Sequence, residues 1–535
     1  MPRVAGPRLR PRRMQSRGAA TLGRVVAVTL AVLLIQVHAR HAQSEESPWL
    51  ARFATRDTAV PDDTVLLKQL EKAVDLRRRE DFDRTLDARD PGELVEHATL
   101  TDAALDRHIL GIDALFVVGD ELFGYLFRPE NGWGSGGTDR KAIDYTPQLR
   151  RVQQGRTGGP DAFGCFSCHS KGGPDGAGTQ TQNAFLFGDG ERIGSADQRN
   201  APDLLGLGPV ALLAHEMSAA LQAEAAGASE HARAEGRLVE QPLSAKGVSF
   251  GRVVANPNGR LSYAAVEGVD PDLTIRPFGW KGHQATLRDM AEESLHIHQG
   301  LLSTRIQLAV RDGSLDAAPY GKGPWSDVDE DGVSLEIDSG MLTTVVAYLA
   351  QLEAPVIRPP HDPGLLDAFA AGRSYFDAVG CPGCHVPTVE LDDSKLDARA
   401  PQPPVEDRPA FIVDVAKDGD GPKIEPKYAG NNNTAYLVHL FSDLKRHDMG
   451  DGLASPAPQG TIPARMFLTR PLWGLAETAP YLHDGRAPTV QDAIVLHGGE
   501  AAAARDAYLA LDENARASVR VFLASLSRQP KLFVP

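Results

Sequence analysis

The sequence predicts a mainly α-helical protein, and three observations support this prediction. Two Cys-x-x-Cys-His runs, residues 165–169 and 381–385, use all four cysteines of the chain, and such a run is the attachment signature of c-type haem. Apolar residues recur at helical spacing in several segments. A single segment, residues 248–266, surrounds an Asn-Pro-Asn-Gly turn and is typical of a β-hairpin. We therefore expect two cytochrome c-like haem domains with long loops and a small β-hairpin.

The two cysteine runs predict the cofactors directly. In each run, two thioether bonds would tie the haem to the cysteines, and the adjacent histidine would ligate the iron. The alternative is a zinc site or a redox dithiol. Two copies with no cysteine left over favour two covalently bound haems c. The predicted attachment and ligand residues are Cys165, Cys168, His169, Cys381, Cys384 and His385.

The N-terminal residues predict export. Residues 1–39 contain seven arginines and no acidic residue, followed by an apolar run over residues 25–37. This run is shorter than the ~20 residues needed to span a bilayer, and Val37-His38-Ala39 offers a small-residue cleavage site. We therefore expect a cleaved signal peptide over residues 1–39, a periplasmic protein, and no stable membrane span after cleavage.

The net charge of the chain indicates which classes of partner it is expected to bind. The formal net charge is −15, and removal of the seven arginines would take it to about −22. Such a negative surface argues against binding to nucleic acid or to an anionic membrane. It favours a small, basic electron-donor protein, such as a cytochrome or a cupredoxin.

The predicted domains follow from helical patterns and from prolines. Residues 40–155 are expected to form an N-terminal helical extension, and residues 156–355 the first haem c domain. Residues 356–535 are expected to form the second haem c domain. The boundary falls after an apolar helix at residues 341–352, which is followed by three prolines at positions 355, 359 and 360.

Two amphipathic helices are predicted to enclose the second haem motif. Before the motif, Leu365, Phe369, Gly372 and Phe376 share a helical face. After it, Val519, Phe522, Leu523 and Leu526 repeat the spacing, with Asp512 as the predicted N-cap. Terminal helices of this kind cross in cytochrome c domains, and Gly372 would allow their close approach.

An acidic segment at residues 327–338 resembles a calcium-binding loop. Asp327, Asp329 and Asp331 occupy positions 1, 3 and 5, and glycine follows at position 6. Position 12 holds Asp338 where glutamate is usual, and Glu336 stands at position 10. The sequence leaves two interpretations open, a calcium site and a solvated acidic turn.

Further motifs resemble a known family. They are Arg-Pro-Phe-Gly-Trp-Lys-Gly at 276–282, Ser-Asp-Leu at 442–444, His-Asp-Met-Gly at 447–450, Pro-Leu-Trp-Gly-Leu at 471–475, Pro-Tyr-Leu-His-Asp-Gly-Arg at 480–486 and His-Gly-Gly-Glu-Ala at 497–501. The set resembles the bacterial di-haem cytochrome c peroxidase superfamily. It is closest to the branch of di-haem oxidoreductases, often described as thiol oxidoreductases or peroxidases. The resemblance runs from about residue 119 to residue 526.

The resemblance implies a division of labour between the two haems. One haem stays six-coordinate and passes electrons, while the other has an open iron face for peroxide or oxygen. His497 stands where the peroxidases place the methionine ligand of the C-terminal haem, so it is the expected second ligand opposite His385. Met449 or Met466 is the alternative. The resemblance also implies where a removable distal ligand of the first haem would be, because resting peroxidases carry such a histidine between the first motif and an Arg-Asn-x-Pro sequence. That sequence is matched at residues 199–202, but residues 170–198 contain no histidine. We therefore expect the first haem to be open on its distal side.

The sequence identifies the catalytic residues less clearly than the haem ligands. The peroxidases' catalytic glutamate has no clear counterpart, and the nearby candidates are Glu292, Glu293, His296 and His298. The two histidines are two positions apart and cannot share a helical face, so at most one would reach a distal pocket; each could equally be a surface residue. Trp280 is expected between the haems, with a buried core tryptophan as the alternative.

Three functions fit the sequence. The first is a periplasmic di-haem oxidoreductase that reduces hydrogen peroxide at the first haem with electrons relayed through the second. Another is a di-haem oxygenase or oxidase that acts on an organic or protein substrate. The third is a pure electron-transfer cytochrome.

Overall fold

The structure, a computed structural model, describes most of the chain from residue 112 to residue 528. The described ranges are 112–128, 131–134, 161–186, 193–317, 320–321, 323–334, 336–399, 411–419, 421–428 and 435–528. All of them belong to one unit of the chain, residues 63–535. The predicted signal peptide and most of the predicted N-terminal helical extension, residues 40–155, lie outside the described residues. The predicted domain boundaries stay a prediction.

The described residues form nine α-helices, α1 to α9. They are α1 (Ile112–Gly124), α2 (Leu207–Glu235), α3 (Leu287–Gln299), α4 (Thr304–Arg311), α5 (Ser339–Gln351), α6 (Pro363–Ala378), α7 (Val490–Leu496), α8 (Ala502–Ala510) and α9 (Glu513–Leu523). No helix in the described ranges is both long and apolar enough to cross a membrane.

Fourteen short strands lie between these helices in the part of the chain that the structure describes. They are β1 (Ala184–Leu186), β2 (Asp197–Arg199), β3 (Val239–Ala245), β4 (Val248–Ala255), β5 (Leu261–Val266), β6 (Val356–Ile357), β7 (Val389–Leu391), β8 (Lys395–Asp397), β9 (Ile412–Asp414), β10 (Glu425–Pro426), β11 (Tyr436–Val438), β12 (Arg446–Asp448), β13 (Met466–Leu468) and β14 (Leu526–Ser527). They pair into six small antiparallel sheets.

The prediction of a mainly α fold is therefore wrong, because the fold is a mixture of helices and small sheets. Most strands contain only two or three residues, and so short a run shows no alternating pattern that a sequence could reveal. The predicted hairpin is real but incomplete. Strands β4 and β5 meet at the expected turn, where Asn256 N–H donates to the Arg260 carbonyl over 2.9 Å, and β3 adds a third strand.

The main hydrophobic core is built around α5, whose residues are buried on nearly every side. Asp338 caps the helix by accepting a hydrogen bond from the Gly340 N–H over 2.8 Å. Helix α1 packs so closely against α5 that a Cβ added to Gly119 would lie 2.3 Å from the Tyr348 Cβ. The same core includes side chains on both sides of residue 355, from Leu115 to Trp473.

A smaller core forms where α6 crosses α9, as the sequence predicts. A Cβ added to Gly372 would lie 1.9 Å from the Ser518 carbonyl oxygen, so only glycine permits this approach. The Phe522 ring lies 5.3 Å from the Phe376 ring, centroid to centroid. Asp512 caps α9 by accepting a hydrogen bond from Ala515 N–H over 2.9 Å. The crossing places the end of α6 directly before Cys381.

Candidate functional site

The first haem motif lies in a tight 3₁₀ turn at one wall of a cavity. Cys165–Ser167 form the turn, and the Cys168 and His169 N–H groups both donate to the Cys165 carbonyl over 3.1 Å. The first cavity has a volume of about 1240 Å³, including its part open to solvent. Its lining includes Cys165, Cys168, His169, His283, Glu293 and His298.

The imidazole of His169 is held in the form that binds iron. Its Nδ1 is 3.1 Å from the Gly176 carbonyl oxygen. Because a carbonyl can only accept, Nδ1 must donate its proton, which leaves Nε2 as the basic nitrogen. Burial lowers the pKa of His169 to about 4, so the ring is neutral at pH 7. A neutral imidazole with a fixed tautomer is the state that a metal ligand needs.

The second motif repeats this arrangement. A 3₁₀ turn at Cys381–Gly383 leads into His385, whose Nδ1 donates to the Phe441 carbonyl over 3.0 Å. Burial lowers the pKa of His385 to about 4 as well. The second cavity is larger, about 2340 Å³ including its open part. Its lining includes Cys381, Cys384, His385, Met449, Arg470 and His497.

Both sites fit a covalently attached haem. All four cysteines are free thiols, and each pair lines the same cavity as its neighbouring histidine. Among the described residues, His283 Nδ1 and Gln284 Oε1 are buried in the first cavity's wall without a hydrogen-bond partner. Buried polar atoms without a partner are expected in the wall of a cavity that a bound group would fill.

His497 lies in the second cavity, at the C-terminal end of α7. Its Nδ1 donates to the Ala493 carbonyl over 2.7 Å, which again leaves Nε2 as the basic nitrogen. Burial lowers its pKa, and its proximity contributes to the lowered pKa of His385. Met449 lines the same cavity, whereas Met466 is not part of either lining. The structure thus reduces the alternatives for the second ligand to His497 and Met449.

The predicted catalytic residues lie on different faces of helix α3, and only some of them line the first cavity. His298 and Glu293 line the cavity, but Glu292 and His296 do not. Glu292 is buried against Arg305, with its Oε1 3.0 Å from the arginine Nε, and also accepts from the Ser303 hydroxyl. The His296 ring packs 5.0 Å from the Tyr320 ring.

Carboxylates orient the two histidines of the first cavity. Asp161 accepts from His298 Nδ1 over 3.0 Å, and Glu293 contacts His283 Nε2 over 2.9 Å. The His298 imidazole is also close enough to His169 to lower its pKa. His283 was not among the residues that the sequence singled out. Its position in the sequence could have identified it, because it directly follows the segment 276–282 that resembles the family.

Trp280 lies at the wall between the two cavities. It lines both of them, together with Asn200, Ala201 and Pro202. Its indole N–H donates to the Asn200 carbonyl over 2.7 Å. The guanidinium of Arg470 lies over the indole, 5.6 Å from the ring centroid, and lines the second cavity. The structure therefore places Trp280 between the two cysteine motifs.

The segment 480–486 joins the two halves of the site. The Asn200 N–H donates to the His483 carbonyl over 2.7 Å, and the Asn183 side chain donates to the Asp484 carbonyl over 2.8 Å. The His483 ring stacks on Phe467 with their centroids 4.5 Å apart, and burial lowers its pKa to about 3. These contacts support a structural role for His483.

His447 could suggest a metal site, because Cys384, Asp443 and His447 offer ligand atoms within 4.8 Å of one another. Both ring nitrogens of His447 are already engaged, at 2.8 Å from Asp443 and 2.7 Å from Glu500. Burial alone would lower the pKa of His447, but the bond to Asp443 and the nearby Cys384 raise it to about 11. A protonated imidazole does not ligate zinc, which weakens the zinc interpretation of the second motif.

The three aspartates of the acidic loop lie together, away from both cavities. Oxygens of Asp327, Asp329 and Asp331 are within 4.8 Å of one another, and none of the three lines a haem cavity.

Comparisons with known proteins agree with the motifs. Residues 405–526 match the family described as "Di-haem oxidoreductase, putative peroxidase". No curated protein matches the chain. The similar solved structures include hydrazine synthase from Kuenenia stuttgartiensis, pressurised with xenon, at 18% identity and a TM-score of 0.20. That alignment covers 36% of this chain and 57% of the hydrazine synthase chain, so it spans little more than half of that relative.

Another similar structure is a MauG-like protein associated with microbial copper homeostasis. It is 15% identical with a TM-score of 0.25, and the alignment covers 52% of this chain and 79% of that chain. The family resemblance stated from the motifs is confirmed by the match over residues 405–526. Over residues 405–526, the chain is thus similar to the di-haem oxidoreductases.

Proposed function

We propose that this protein is a periplasmic di-haem c-type oxidoreductase that reduces hydrogen peroxide at the first cavity, with electrons entering at the second. One observation carries the proposal. Each cavity combines a Cys-x-x-Cys-His motif with a neutral, tautomer-fixed histidine, and Trp280 belongs to the walls of both cavities. Two redox sites with a shared wall can exchange electrons within one chain.

The residues that would hold the haems follow from the cavity linings. Thioether bonds would form at Cys165 and Cys168 in the first cavity, with His169 Nε2 toward the iron. Cys381, Cys384 and His385 would do the same in the second cavity. When bound, haem supplies one-electron redox chemistry and a site for peroxide at its iron. The chain supplies orientation, proton transfer and exclusion of water.

The first cavity has the acid–base groups that peroxide reduction needs. Conversion of one hydrogen peroxide to two waters consumes two protons and two electrons. The pairs His298–Asp161 and His283–Glu293 place imidazoles in the cavity wall with their ring orientation fixed by a carboxylate. We assign proton transfer to His298, because it lies close enough to His169 to affect its pKa.

The second cavity has the features of an electron-entry site. We propose His497 as the ligand opposite His385, because its Nδ1 is bound to the Ala493 carbonyl and its ring lines the cavity. The net charge of −15 favours a basic donor protein, either a small cytochrome or a cupredoxin. Export through a cleaved signal over residues 1–39 would bring the chain to the compartment where thioether attachment takes place.

Spectra of the purified holoprotein test this function. A pyridine haemochrome assay should give two haems c per chain that survive denaturation, and cyanide should bind one iron of the two. Hydrogen peroxide should then be consumed with oxidation of a reduced cytochrome c. If both irons are low-spin and inert to cyanide, the protein is an electron carrier. If peroxide is ignored but oxygen binds after reduction, the protein is an oxygenase or oxidase.

A matched pair of variants tests the role of His298. His298→Gln removes the imidazole from the first cavity and should lower peroxide turnover by about 10²-fold or more. His231→Gln is the control, because His231 is exposed on α2 and bonds to Glu235 on the same helix. Equal turnover in the two variants, with both haem spectra intact, would remove His298 from the mechanism.

A further inference from the structure

The acidic loop at residues 327–336 has a feature that a solvated turn does not need. The Asp329 side chain is only 3% exposed. Neither of its carboxylate oxygens has a hydrogen-bond partner among the residues that the structure describes. Both Asp327 and Asp331 place a carboxylate oxygen within 4.8 Å of one of them. A buried carboxylate without a partner is costly, and two neighbouring carboxylates increase the cost.

Glu336 is a fourth carboxylate, and it interacts electrostatically with the three aspartates. It is buried, and its electrostatic neighbours are Asp329, Asp331 and Asp327. One oxygen, Oε2, accepts a hydrogen bond from the Leu302 N–H over 2.7 Å. The other, Oε1, has no partner within the described ranges. Burial and the three aspartates raise the pKa of Glu336 to about 10, and burial with Asp331 raises that of Asp329 to about 7.

We propose that this cluster is a calcium site formed by Asp327, Asp329, Asp331 and Glu336. The donors are all carboxylate oxygens, the ligands preferred by a hard cation, with neither sulfur nor imidazole among them. Calcium accepts six to eight oxygens, so backbone carbonyls and water would complete the shell. The site lies outside both haem cavities and does not depend on the redox function proposed above.

The fourth carboxylate does not come from position 12, which supplies the last ligand in the usual calcium-binding loop. Position 12 of the loop is Asp338, but this residue caps α5 by accepting from the Gly340 N–H. Glu336, two residues earlier, is buried and interacts electrostatically with the three aspartates. The loop therefore closes on position 10, and its last ligand is bonded to a neighbouring segment, at Leu302.

The hydrogen bond between Glu336 and Leu302 connects the proposed site to the segment that follows α3. The Ile337 N–H donates to the Leu302 carbonyl over 3.2 Å, and the Thr304 N–H donates to the Ile337 carbonyl over 2.9 Å. Helix α3, which carries His298, ends immediately before Leu302, at the Gly300 C-cap. A cation held by Glu336 would fix the segment that follows α3.

Metal analysis and unfolding of the holoprotein test the site. After dialysis against calcium and then against buffer, about one calcium per chain should remain, and a chelator should remove it. Adding 10 mM calcium to the chelated protein should raise the thermal midpoint by about 2–6 °C. Absence of bound calcium together with an unchanged midpoint would overturn the proposal.

The variant Asp329→Asn gives the sharper test, because its effect should change sign with calcium. In excess calcium it removes a ligand and should lower the thermal midpoint. In chelator it replaces a buried carboxyl group, whose charge has no compensating cation, with a neutral amide and should raise the midpoint. Glu330→Gln is the matched control, since Glu330 is an exposed acid of the same loop, and it should retain calcium. If Asp329→Asn raises the midpoint under both conditions, the cluster holds no cation.

Discussion

The indole nitrogen of Trp280 donates a hydrogen bond to the Asn200 carbonyl over 2.7 Å, and both residues line both cavities. Asn200 is in turn bonded through its N–H to the His483 carbonyl. Three segments that are distant in the sequence therefore meet between the two cysteine motifs. Under the proposed function, this aromatic ring would carry an electron between the two sites.

Replacing Trp280 with phenylalanine should slow electron transfer between the haems by about tenfold or more. Both haem spectra should stay intact, because the loss of one hydrogen bond costs only about 1 kcal/mol. The rate can be measured by rapid mixing with a reductant. Trp473→Phe is the control, since Trp473 lines only the second cavity. Equal transfer rates in the two variants would exclude Trp280 from the path.

His497→Ala should abolish the low-spin signal of a haem with two imidazole ligands. Electron paramagnetic resonance of the oxidised protein would measure this loss. Imidazole ligation should also leave the second haem harder to reduce than a methionine-ligated haem. Met449→Leu is the companion variant and should leave the signal unchanged. A methionine–iron charge-transfer band that disappears in Met449→Leu would assign the ligand to Met449 instead.

Gly372→Ala should destabilise the protein by about 1–3 kcal/mol or more, because the new Cβ would meet the Ser518 carbonyl at 1.9 Å. Denaturant unfolding of the holoprotein measures the change. Gly227→Ala on α2 is the matched control, since nothing lies within 4 Å of its added Cβ. That variant should gain about 0.5–1 kcal/mol from helix propensity. Similar effects in both would show that α6 and α9 do not cross so closely.

Lys281 should make stability depend on pH above neutrality. The side chain is fully buried, with Nζ 3.6 Å from the Phe467 ring centroid and 2.5 Å from the Ala464 carbonyl oxygen. Burial lowers its pKa from 10.5 to about 7. Between these values the unfolded chain binds the proton and the folded chain does not.

The contribution of Lys281 should therefore rise with pH from about 7 to about 10, with a slope of at most about 1.4 kcal/mol per pH unit. The measurement is the difference in unfolding free energy between the wild type and Lys281→Met, followed across this range. Subtraction of the variant removes the contribution of the other titrating groups. A difference that does not change with pH would mean that Lys281 stays protonated in the folded protein.

Features that depend on local spacing could be predicted from the amino-acid sequence. Both cysteine motifs, the capped helix α9, the apolar face of α6 and each of the family motifs follow from residues a few positions apart. The small sheets could not be predicted, because strands of two or three residues have no readable period and form only when a distant strand supplies the hydrogen bonds. The predicted mainly α fold failed for this reason.

The contacts between polar residues depend on tertiary packing and could not be predicted in this way. Glu292 and Glu293 are neighbours in the sequence, but about 100° separates them around α3, and packing turns Glu293 toward the first cavity and Glu292 toward Arg305. The same helix phase selects His298 over His296. In the acidic loop, Asp338 caps α5, and Glu336 is the buried acid that interacts electrostatically with the three aspartates. In each case, the side chain that faces the site is determined by the distant segments that pack around it. The local sequence pattern contains no information about those segments.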